Sequence, residues 1–518
     1  MPQGPNLSEF ISRHHSLFAE RQQTAGGQES QQEPKQEAKQ EAKQDNKPAN
    51  SQADKDCSMT ALERISAPPT RLGGTALCDW DYLVQEDKAH RLIYTDPAIF
   101  EAEMTNIFGG TWTYLAHESE IANVNDFITR RLGLRPLIIV RDGEGKIRAL
   151  YNRCTHRGTT LCRWDKGNSK SFQCPYHGWN FLNNGRLRGV PWPEGYAADL
   201  RDPKYNLAQV PRVESYRGFI FGTLNMDALP LAEHLGAIAK VIDEWLDRNP
   251  GGKVVVCEAN RFRYKGNWKL AYDNSCDGYH VAYSHRSLLE TENRFAGENA
   301  KGMAYYRNSP DTQAMYMRYT GHGNHFKDKR PNLEKRPGGL WALESAHPGM
   351  EHYEAEFIKR YGDRAFALLD LAGSEPVNIN VFPNLSLLGN HIQVFEPVGV
   401  GETNAIWYGT MIVDHDGSLG EQAVTDINAL RMRTQEGFPN FGEVDDIANF
   451  EQIQHGLMAI EDEWVYMNRG LGVPERVRTH EDGSITAPAT DEAFMREHFK
   501  EWKRLMKGRA TLAIQREP

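Results

Sequence analysis

The densest group of potential metal ligands is the segment CTHRGTTLCRWDKGNSKSFQCPYHGW, residues 154–179. It contains a Cys-x-His pair, Cys154 and His156, and a Cys-x-x-His pair, Cys174 and His177, with seventeen residues between the pairs. Two thiolates and two imidazoles can hold one zinc ion or a two-iron cluster. Zinc sites usually draw two cysteines from one pair and two histidines from another. Because each pair here supplies one of each, the spacing favours a cluster with both thiolates on one iron and both imidazoles on the other.

The residues around these pairs fit two loops that wrap closely around a cluster. Gly158 and Gly178 give the backbone freedom to turn near the sulfides, and Pro175 stiffens the second loop. Cys162 lies between the pairs without a histidine neighbour, so we interpret it as a small buried side chain. Exchanging two thiolates for neutral imidazoles raises the reduction potential of such a cluster.

A second group of potential ligands lies about a hundred residues further along, in NWKLAYDNSCDGYHVAYSHRS. Asp277 and His280 are three residues apart and share a face if they lie on a helix. His285 reaches the same point only if that helix ends or bends before it. Two histidines and one carboxylate form the facial triad that binds Fe(II) and leaves positions open for O2.

The spacing does not decide which carboxylate completes this second site. Asp277 is nearest in sequence, but it could instead orient a ligand imidazole from outside the coordination sphere. A distant candidate is GEVDDIANFEQIQHGL, where Asp445 or Asp446 could equally cap the helix that follows. On the residues alone, capping ranks ahead of metal binding.

Composition narrows the class of protein. The 518 residues carry a formal net charge of −10, so no basic surplus favours nucleic acid or an anionic membrane. No apolar run is long enough to span a membrane, and the first residues lack the pattern of a secretory signal. Seven scattered cysteines do not form a disulfide framework, which predicts a reducing cytoplasmic location.

The patterning predicts an α+β fold preceded by a disordered extension. Residues 23–56 are nearly free of apolar side chains and repeat QEAK, so we expect residues 1–71 to be disordered. A helix is predicted over 96–108, opened by Asp96 with Pro97 in its first turn. From about 112 to 224 the signals are β, including a hairpin around GEG, and helices mix with strands thereafter.

Taken together, the cysteine–histidine segment, NWK…DNSCDGYHVAYSH and VDDIANFEQIQ resemble Rieske non-haem iron aromatic ring-hydroxylating oxygenases in their α (large) subunits. FGGTWTYLAHESEI, RGTTLCRW and SYRGFIFGTLN are most similar to the benzoate, toluate, anthranilate and salicylate branch. The resemblance implies an all-β Rieske domain at 112–224, set into a larger α+β catalytic domain of 72–111 and 225–518. That catalytic domain is expected to be an antiparallel sheet with helices, of the helix-grip type.

The resemblance also assigns roles to individual residues. It implies that the [2Fe–2S] cluster is held by Cys154, His156, Cys174 and His177, and that mononuclear Fe(II) is held by His280, His285 and Asp446. Asp277 is implied to bridge the iron histidine to a Rieske histidine of a neighbouring subunit. The sequence departs from one subset of the family, because Asp273 stands where that subset has asparagine, with Asn274 next to it.

The activity implied is cis-dihydroxylation of an aromatic ring, with an aromatic carboxylate such as a substituted benzoate, anthranilate or salicylate as substrate. Electrons would come from NAD(P)H through a separate reductase, with or without a ferredoxin. A small β subunit and a trimer of α subunits are expected. Monohydroxylation, as in similar salicylate hydroxylases, is the alternative, while a pure electron carrier and a zinc protein remain open. A carboxylate substrate should meet an arginine, a lysine or helix-end N–H groups in the pocket.

Overall fold

The computed structural model describes residues 79–286, 316–328, 350–365, 378–414, 441–508 and 510–517, with isolated positions between 417 and 429. The extension predicted to be disordered, residues 1–71, lies outside the described residues.

The described ranges contain both helices and strands. The helices include α1 (Trp80–Leu83), α2 (Leu92–Thr95), α3 (Pro97–Asn106), α4 (Leu231–Leu235), α5 (Ala237–Asp247), α6 (Trp268–Ser275), α7 (Val281–Ser284), α8 (Met350–Tyr361), α9 (Phe441–Gly456) and α10 (Ala493–Lys507). The strands are β1 (Lys88–His90), β2 (Thr113–His117), β3 (Asp126–Leu132), β4 (Arg135–Arg141), β5 (Ile147–Tyr151), β6 (Lys166–Asn168), β7 (Ser171–Gln173), β8 (Asn180–Leu182), β9 (Leu187–Gly189), β10 (Arg212–Tyr216), β11 (Phe219–Thr223), β12 (Val254–Tyr264), β13 (Tyr316–Gly321), β14 (Asn324–Asp328), β15 (Asn378–Val381), β16 (Leu385–Leu388), β17 (His391–Gly399), β18 (Glu402–Ile412), β19 (Trp464–Tyr466), β20 (Arg478–Thr479) and β21 (Ile485–Pro488).

The largest sheet in the described residues is antiparallel, in the order β12-β18-β17-β16-β15-β14-β13-β21-β20. Its central strands are largely buried, and α6 packs against β15 and β17. A sheet with helices on its face needs one continuous apolar layer between them. The aromatic residues Trp268, Tyr272 and Phe382 are part of that layer.

Three smaller sheets lie in the N-terminal half. Strands β5, β4, β3 and β6 form one, β7 to β9 form a second, and β10, β11 and β2 form a third. A separate apolar core that includes Cys154 and Cys174 sits among the first two. Because β2 pairs with β11, the two ends of segment 112–224 meet in one sheet. The exact domain bounds remain a prediction.

The predicted helix at 96–108 is confirmed as α3, although it ends at Asn106. The Asp96 carboxylate accepts hydrogen bonds from the N–H groups of Ala98 at 2.8 Å and Ile99 at 3.3 Å. Pro97 fills the first helical position, where a missing N–H costs nothing. A helix start with these features can be predicted from sequence, because the cap and the proline lie next to the helix that they begin.

The predicted hairpin around GEG, residues 143–145, is also confirmed. Strands β4 and β5 pair from Leu137–Tyr151 to Arg141–Ile147. Asp142 closes the turn, since its backbone accepts from the N–H of Gly145 at 3.0 Å and donates to Lys146 at 2.9 Å.

A buried polar cluster fixes the start of α6. The Lys269 ammonium donates to the Glu103 carboxylate of α3, and both side chains are fully buried. The indole N–H groups of Trp268 and Trp502 donate to the same carboxylate at 2.8 Å and 2.7 Å. A buried charge pair is stable only when its remaining polar atoms are also satisfied, and here three donors meet one carboxylate. The start of α6 is therefore held in place, and the second candidate site lies just beyond its other end.

The α+β class is confirmed, with an all-β domain and a larger domain of antiparallel sheet and helices. Within the described ranges, no helix combines the length and apolar composition that a membrane span requires.

Candidate metal centres

The two cysteine–histidine pairs lie on two loops with the same backbone pattern. In the loop after β5, the Cys154 N–H donates to the Thr159 carbonyl at 2.8 Å and the Gly158 N–H donates back to the Cys154 carbonyl at 3.0 Å. In the loop between β7 and β8, Cys174 and Gly178 repeat both bonds, at 2.7 Å to the Trp179 carbonyl and 3.0 Å. The matching pattern places the two cysteines in equivalent positions.

The two glycines have the role that the sequence predicted. Gly158 has φ +78° and Gly178 has φ +73°, a region that side-chain-bearing residues rarely adopt. At Gly178 an added Cβ would also lie 2.9 Å from the Pro191 ring. Each loop therefore turns back on itself within five residues and aims its cysteine and histidine toward the other loop.

The four side chains come together at the tips of these loops. Both cysteines are almost fully buried, and each is close enough to the other that the Cys174 thiol adds to the effect of burial in raising the pKa of Cys154. The rings of His156 and His177 are 4.7 Å apart between centroids. Trp179 stacks on His156 with an interplanar angle of 2°, which fixes the orientation of that ring.

The donor atoms fit a cluster held by two thiolates and two imidazoles. The Nδ1 atoms of His156 and His177 are buried and have no hydrogen-bond partner in the part of the chain that the structure describes. Buried polar atoms are nearly always satisfied, so a matched pair of unsatisfied nitrogens indicates a missing partner. Burial, and then the neighbouring His177 ring, lower the pKa of His156, which keeps its imidazole neutral and able to bind metal. Cys162 takes no part, since its Sγ faces the Trp164 carbonyl at 3.6 Å.

The second group of ligands lies where α6 ends. Cys276 caps α6, residues 277–280 form a bend, and the one-turn helix α7 runs from Val281 to Ser284. His280 precedes α7 and His285 follows it, so both imidazoles project from the ends of a single turn. Gly278 allows the bend to pack against Ala489, whose Cβ would lie 2.8 Å from an added Cβ. The helix thus ends before His285, as the spacing required.

The Asp-Asp pair approaches from α9, and the structure changes its interpretation. Helix α9 begins at Phe441, so Asp445 and Asp446 lie inside the helix and neither caps it. N-cap side chains lie before the first turn of a helix. The structure therefore excludes helix capping, which ranked ahead of metal binding on the residues alone. Within α9, the Asp446 side chain faces both histidines.

Three ligand atoms converge at this point. Asp446 Oδ1 lies 3.4 Å from His285 Nε2 and 3.7 Å from His280 Nε2. One ligand atom from each of the three residues lies within 4.8 Å of the other two. Among the described residues, this is the only group of three histidine, cysteine or acidic side chains that meets that criterion. Two imidazoles and one carboxylate on one side of an ion leave its other positions open.

A second carboxylate lies behind each histidine. Asp277 Oδ2 is 3.3 Å from His280 Nδ1, and Asp445 Oδ2 is 3.8 Å from His285 Nδ1. Metal-binding histidines commonly have a carboxylate at the other ring nitrogen, which fixes the tautomer and the ring orientation. The role considered for Asp277 matches this position, whereas Asp445 was considered only as a ligand or a cap.

Burial and charge act in opposite directions on these groups. Burial raises the pKa of Asp446, and the two histidines only partly offset that effect. Burial also lowers the pKa of His285, with a partial offset from Asp446. For His280, burial lowers the pKa, but the Asp277 and Asp446 carboxylates outweigh burial and raise the pKa overall. The pocket concentrates buried carboxylate next to imidazole, and a divalent cation would compensate that charge.

The structure also shows what the Asp273–Asn274 pair does. The Asp273 carboxylate accepts a hydrogen bond from the Tyr94 hydroxyl at 2.8 Å. Asn274 is the residue that reaches the site, where its amide donates to Asp446 Oδ1 at 3.1 Å and lies 3.2 Å from His280 Nε2. The sequence departure at Asp273 therefore leaves an asparagine beside the ligands.

A cavity opens beside Asp446, between α6, α9 and the large sheet. The described residues that line it are Phe262, Tyr264, Ala271, Asn274, Ser275, Asn378, Ser386, Leu388, Gln393, Phe395, Ala405, Trp407, Asp446, Ile447 and Phe450. None of these is lysine or arginine, so the basic residue expected for a carboxylate substrate is not among the described lining residues. The sequence did not single out the strand residues of this cavity, which come from five separate strands.

Two family models match this chain. The Rieske [2Fe–2S] domain matches residues 111–211, and the ring hydroxylating alpha subunit (catalytic domain) matches residues 251–508. The chain is 32% identical to the toluate 1,2-dioxygenase subunit alpha of Pseudomonas putida, covering 73% of this chain and 82% of the relative. It is 32% identical to the 2-halobenzoate 1,2-dioxygenase large subunit of Burkholderia cepacia, covering 74% and 80%. Among solved structures, the naphthalene 1,2-dioxygenase from Rhodococcus sp. bound to indole matches with a TM-score of 0.64 and 27% identity, over 81% of this chain and 94% of that one.

The fold and the two ligand sets define an oxygenase with an iron–sulfur domain and a non-haem iron domain. The chain belongs to the family of Rieske non-haem iron ring-hydroxylating oxygenase α subunits, which are oxidoreductases. The family's cofactors are a Rieske [2Fe–2S] cluster and mononuclear iron, and the donor sets described above fit both.

Proposed function

We propose that this chain is the α subunit of a dioxygenase that cis-dihydroxylates the ring of an aromatic carboxylate. The aromatic ring, O2, NAD(P)H and a proton give the cis-dihydrodiol and NAD(P)+. The observation that carries the proposal is the convergence of His280, His285 and Asp446 in a chain with a Rieske domain. A carboxylated substrate is supported by the toluate and 2-halobenzoate enzymes among its relatives.

We assign the ligands as the sequence suggested. Cys154, His156, Cys174 and His177 would hold the two-iron cluster, and His280, His285 and Asp446 would hold Fe(II). The cluster supplies single electrons, and the ferrous ion supplies the O2 chemistry. The protein side chains would hold these centres, while Asn274 donates a hydrogen bond to Asp446 and Asp445 lies behind His285.

We further propose that electrons cross between subunits of a trimer, through Asp277. The family resemblance implies head-to-tail packing, in which a neighbour's cluster lies next to each iron. The Asp277 side chain is one-third exposed, so it can reach beyond its own chain while facing His280. Exposed aromatic residues lie beside both ends of this route, Tyr283 near His280 and Tyr176 against His177. Such exposed aromatic side chains are typical of interfaces.

The remaining partners are a separate reductase, with or without a ferredoxin, and a small β subunit. A cytoplasmic location is supported by the thiols of Cys154 and Cys174, which are free and must stay reduced to bind iron.

Isotopically labelled O2 tests the proposed reaction. We expect the purified protein with a matched reductase to convert an aromatic acid such as 2-chlorobenzoate, benzoate or anthranilate, with two labelled oxygen atoms in each product molecule. Mass spectrometry of the product checks this. A product with a single labelled oxygen would assign the chain to monohydroxylation, and turnover of no aromatic acid in the panel would contradict the proposal.

A further inference from the structure

Three polar side chains form a row across neighbouring strands in the cavity. The register pairs Ser386 of β16 with Gln393 of β17, and Gln393 with Trp407 of β18. Directly paired residues on adjacent strands project to the same face of a sheet. All three line the cavity beside Asp446, and each is at least 95% buried. The sheet wall of the cavity therefore carries a hydroxyl, an amide and an indole side by side.

Gln393 stands at the middle of this row with an unused donor. Its Nε2 is buried and has no hydrogen-bond partner in the described part of the chain. A glutamine amide has two N–H donors, and leaving them unsatisfied in a buried position is unfavourable. An acceptor that enters the cavity would satisfy this amide.

The next row on the same wall is apolar. Phe395 of β17 pairs with Ala405 of β18, which pairs with Phe262 of β12. These three residues also line the cavity, and the Phe262 ring packs at 90° against Trp407. One wall thus presents a flat apolar row directly beside a polar row, which suits an aromatic ring with one polar substituent.

The charges of the lining residues indicate where the polar substituent of the ring can bind. Asp446 lines the cavity from α9, but an ionised carboxylate has no donor to offer to a carboxylate substituent. In the described lining no lysine or arginine provides an alternative anchor. Gln393 supplies neutral donors on the sheet wall, and hydrogen bonds from neutral donors to a carboxylate are charge-assisted and strong.

We infer that Gln393 is a specificity-determining residue whose amide donates to the carboxylate of the aromatic substrate, while Phe262 and Phe395 contact the ring. This inference rests on the proposed function and deepens it, because it names the group that recognises the acid. Among the described lining residues, it gives this role to a neutral amide, where the sequence predicted an arginine or a lysine.

The test compares benzoate with toluene, which keeps the ring and replaces the carboxylate by a methyl group. Gln393→Met removes the donor at nearly constant size, and Gln393→Glu replaces it by a repelling carboxylate. Gln85→Met is the control: it makes the same substitution at a glutamine whose side-chain amide donates to the nearby Tyr82 carbonyl. Each holoenzyme is titrated with each ligand under anaerobic conditions to obtain the dissociation constant. Cluster absorption and iron content verify that each variant is folded.

We expect Gln393→Met to weaken benzoate binding by about 10-fold to 100-fold, the range for a lost hydrogen bond to a charged group. Gln393→Glu should weaken it further, and toluene binding should change by less than about threefold in both variants. The Gln85→Met protein should match the wild type.

Unchanged benzoate binding in Gln393→Met would overturn the inference, as would an equal loss for benzoate and toluene. The proposed function fails by a different result. Suppose that the wild type binds benzoate, that only the Gln393 variants lose this binding, and that no aromatic acid is oxidised. The assignment of Gln393 would then stand, and the proposed reaction would be wrong.

Discussion

Asp446→Ala is expected to abolish turnover and remove the mononuclear iron, while the Rieske cluster keeps its absorption and its EPR signal. Asp446 is the carboxylate that faces both His280 and His285, at 3.7 Å and 3.4 Å. Without it two imidazoles remain, which is too few protein ligands for a stable Fe(II) site of this type. Metal analysis together with turnover of the preferred aromatic acid checks this, and we expect activity to fall by at least about a thousandfold.

The neighbouring carboxylate gives a matched control. Asp445 lies on the same helix but faces only His285, at 3.8 Å from Nδ1. Asp445→Asn should therefore still bind iron, with an affinity lower by about 10-fold to 100-fold, as for other residues that orient a ligand, and the iron-loaded variant should turn over at close to the wild-type rate. If Asp446→Ala keeps its iron and full turnover, the assignment of this residue is wrong.

Asp277→Asn is expected to leave both metal centres in place and to slow electron transfer between them. The Asp277 carboxylate lies 3.3 Å from His280 Nδ1 and is partly exposed. The substitution therefore alters the proposed electron-transfer route and leaves the iron ligands unchanged. We expect turnover to fall about 10-fold to 100-fold. In a stopped-flow experiment with substrate and O2, the reduced cluster should reoxidise more slowly by the same factor.

Asp445→Asn is again the comparison, because it removes a carboxylate from behind the other histidine. If Asp277 is the route, Asp445→Asn leaves the rate of cluster reoxidation close to that of the wild type. Equal slowing in both variants would mean that Asp277 only orients a ligand, as Asp445 does.

The Rieske loops could be predicted from the sequence because their information is local. The cysteine, histidine and glycine of each loop lie within five residues, and backbone hydrogen bonds such as Gly158 N–H to the Cys154 carbonyl close the loop without distant contacts. The start of α3 was predictable for the same reason, since Asp96 and Pro97 directly precede the helix they begin.

The remaining features depend on tertiary structure. The role of Asp446 followed from resemblance and not from spacing, because the residues alone did not show that α9 begins at Phe441, before the Asp-Asp pair. The residues alone also did not distinguish Asp273 from Asn274, because their different partners, Tyr94 for Asp273 and Asp446 for Asn274, are distant in sequence. The row that contains Gln393 exists only through strand register, which joins residues from three strands.

We propose that the cysteine–histidine cluster supplies electrons to an O2-dependent reaction at His280, His285 and Asp446. The most direct measurement is a single turnover without any reductase. The cluster is reduced anaerobically, excess reductant is removed, and O2 is added with or without an aromatic acid. We predict that hydroxylated product forms and that the reduced-cluster EPR signal disappears in proportion to it, with rapid loss of the signal only when the acid is present. Product formation with a cluster that stays reduced, or complete cluster oxidation with no product, would contradict the account.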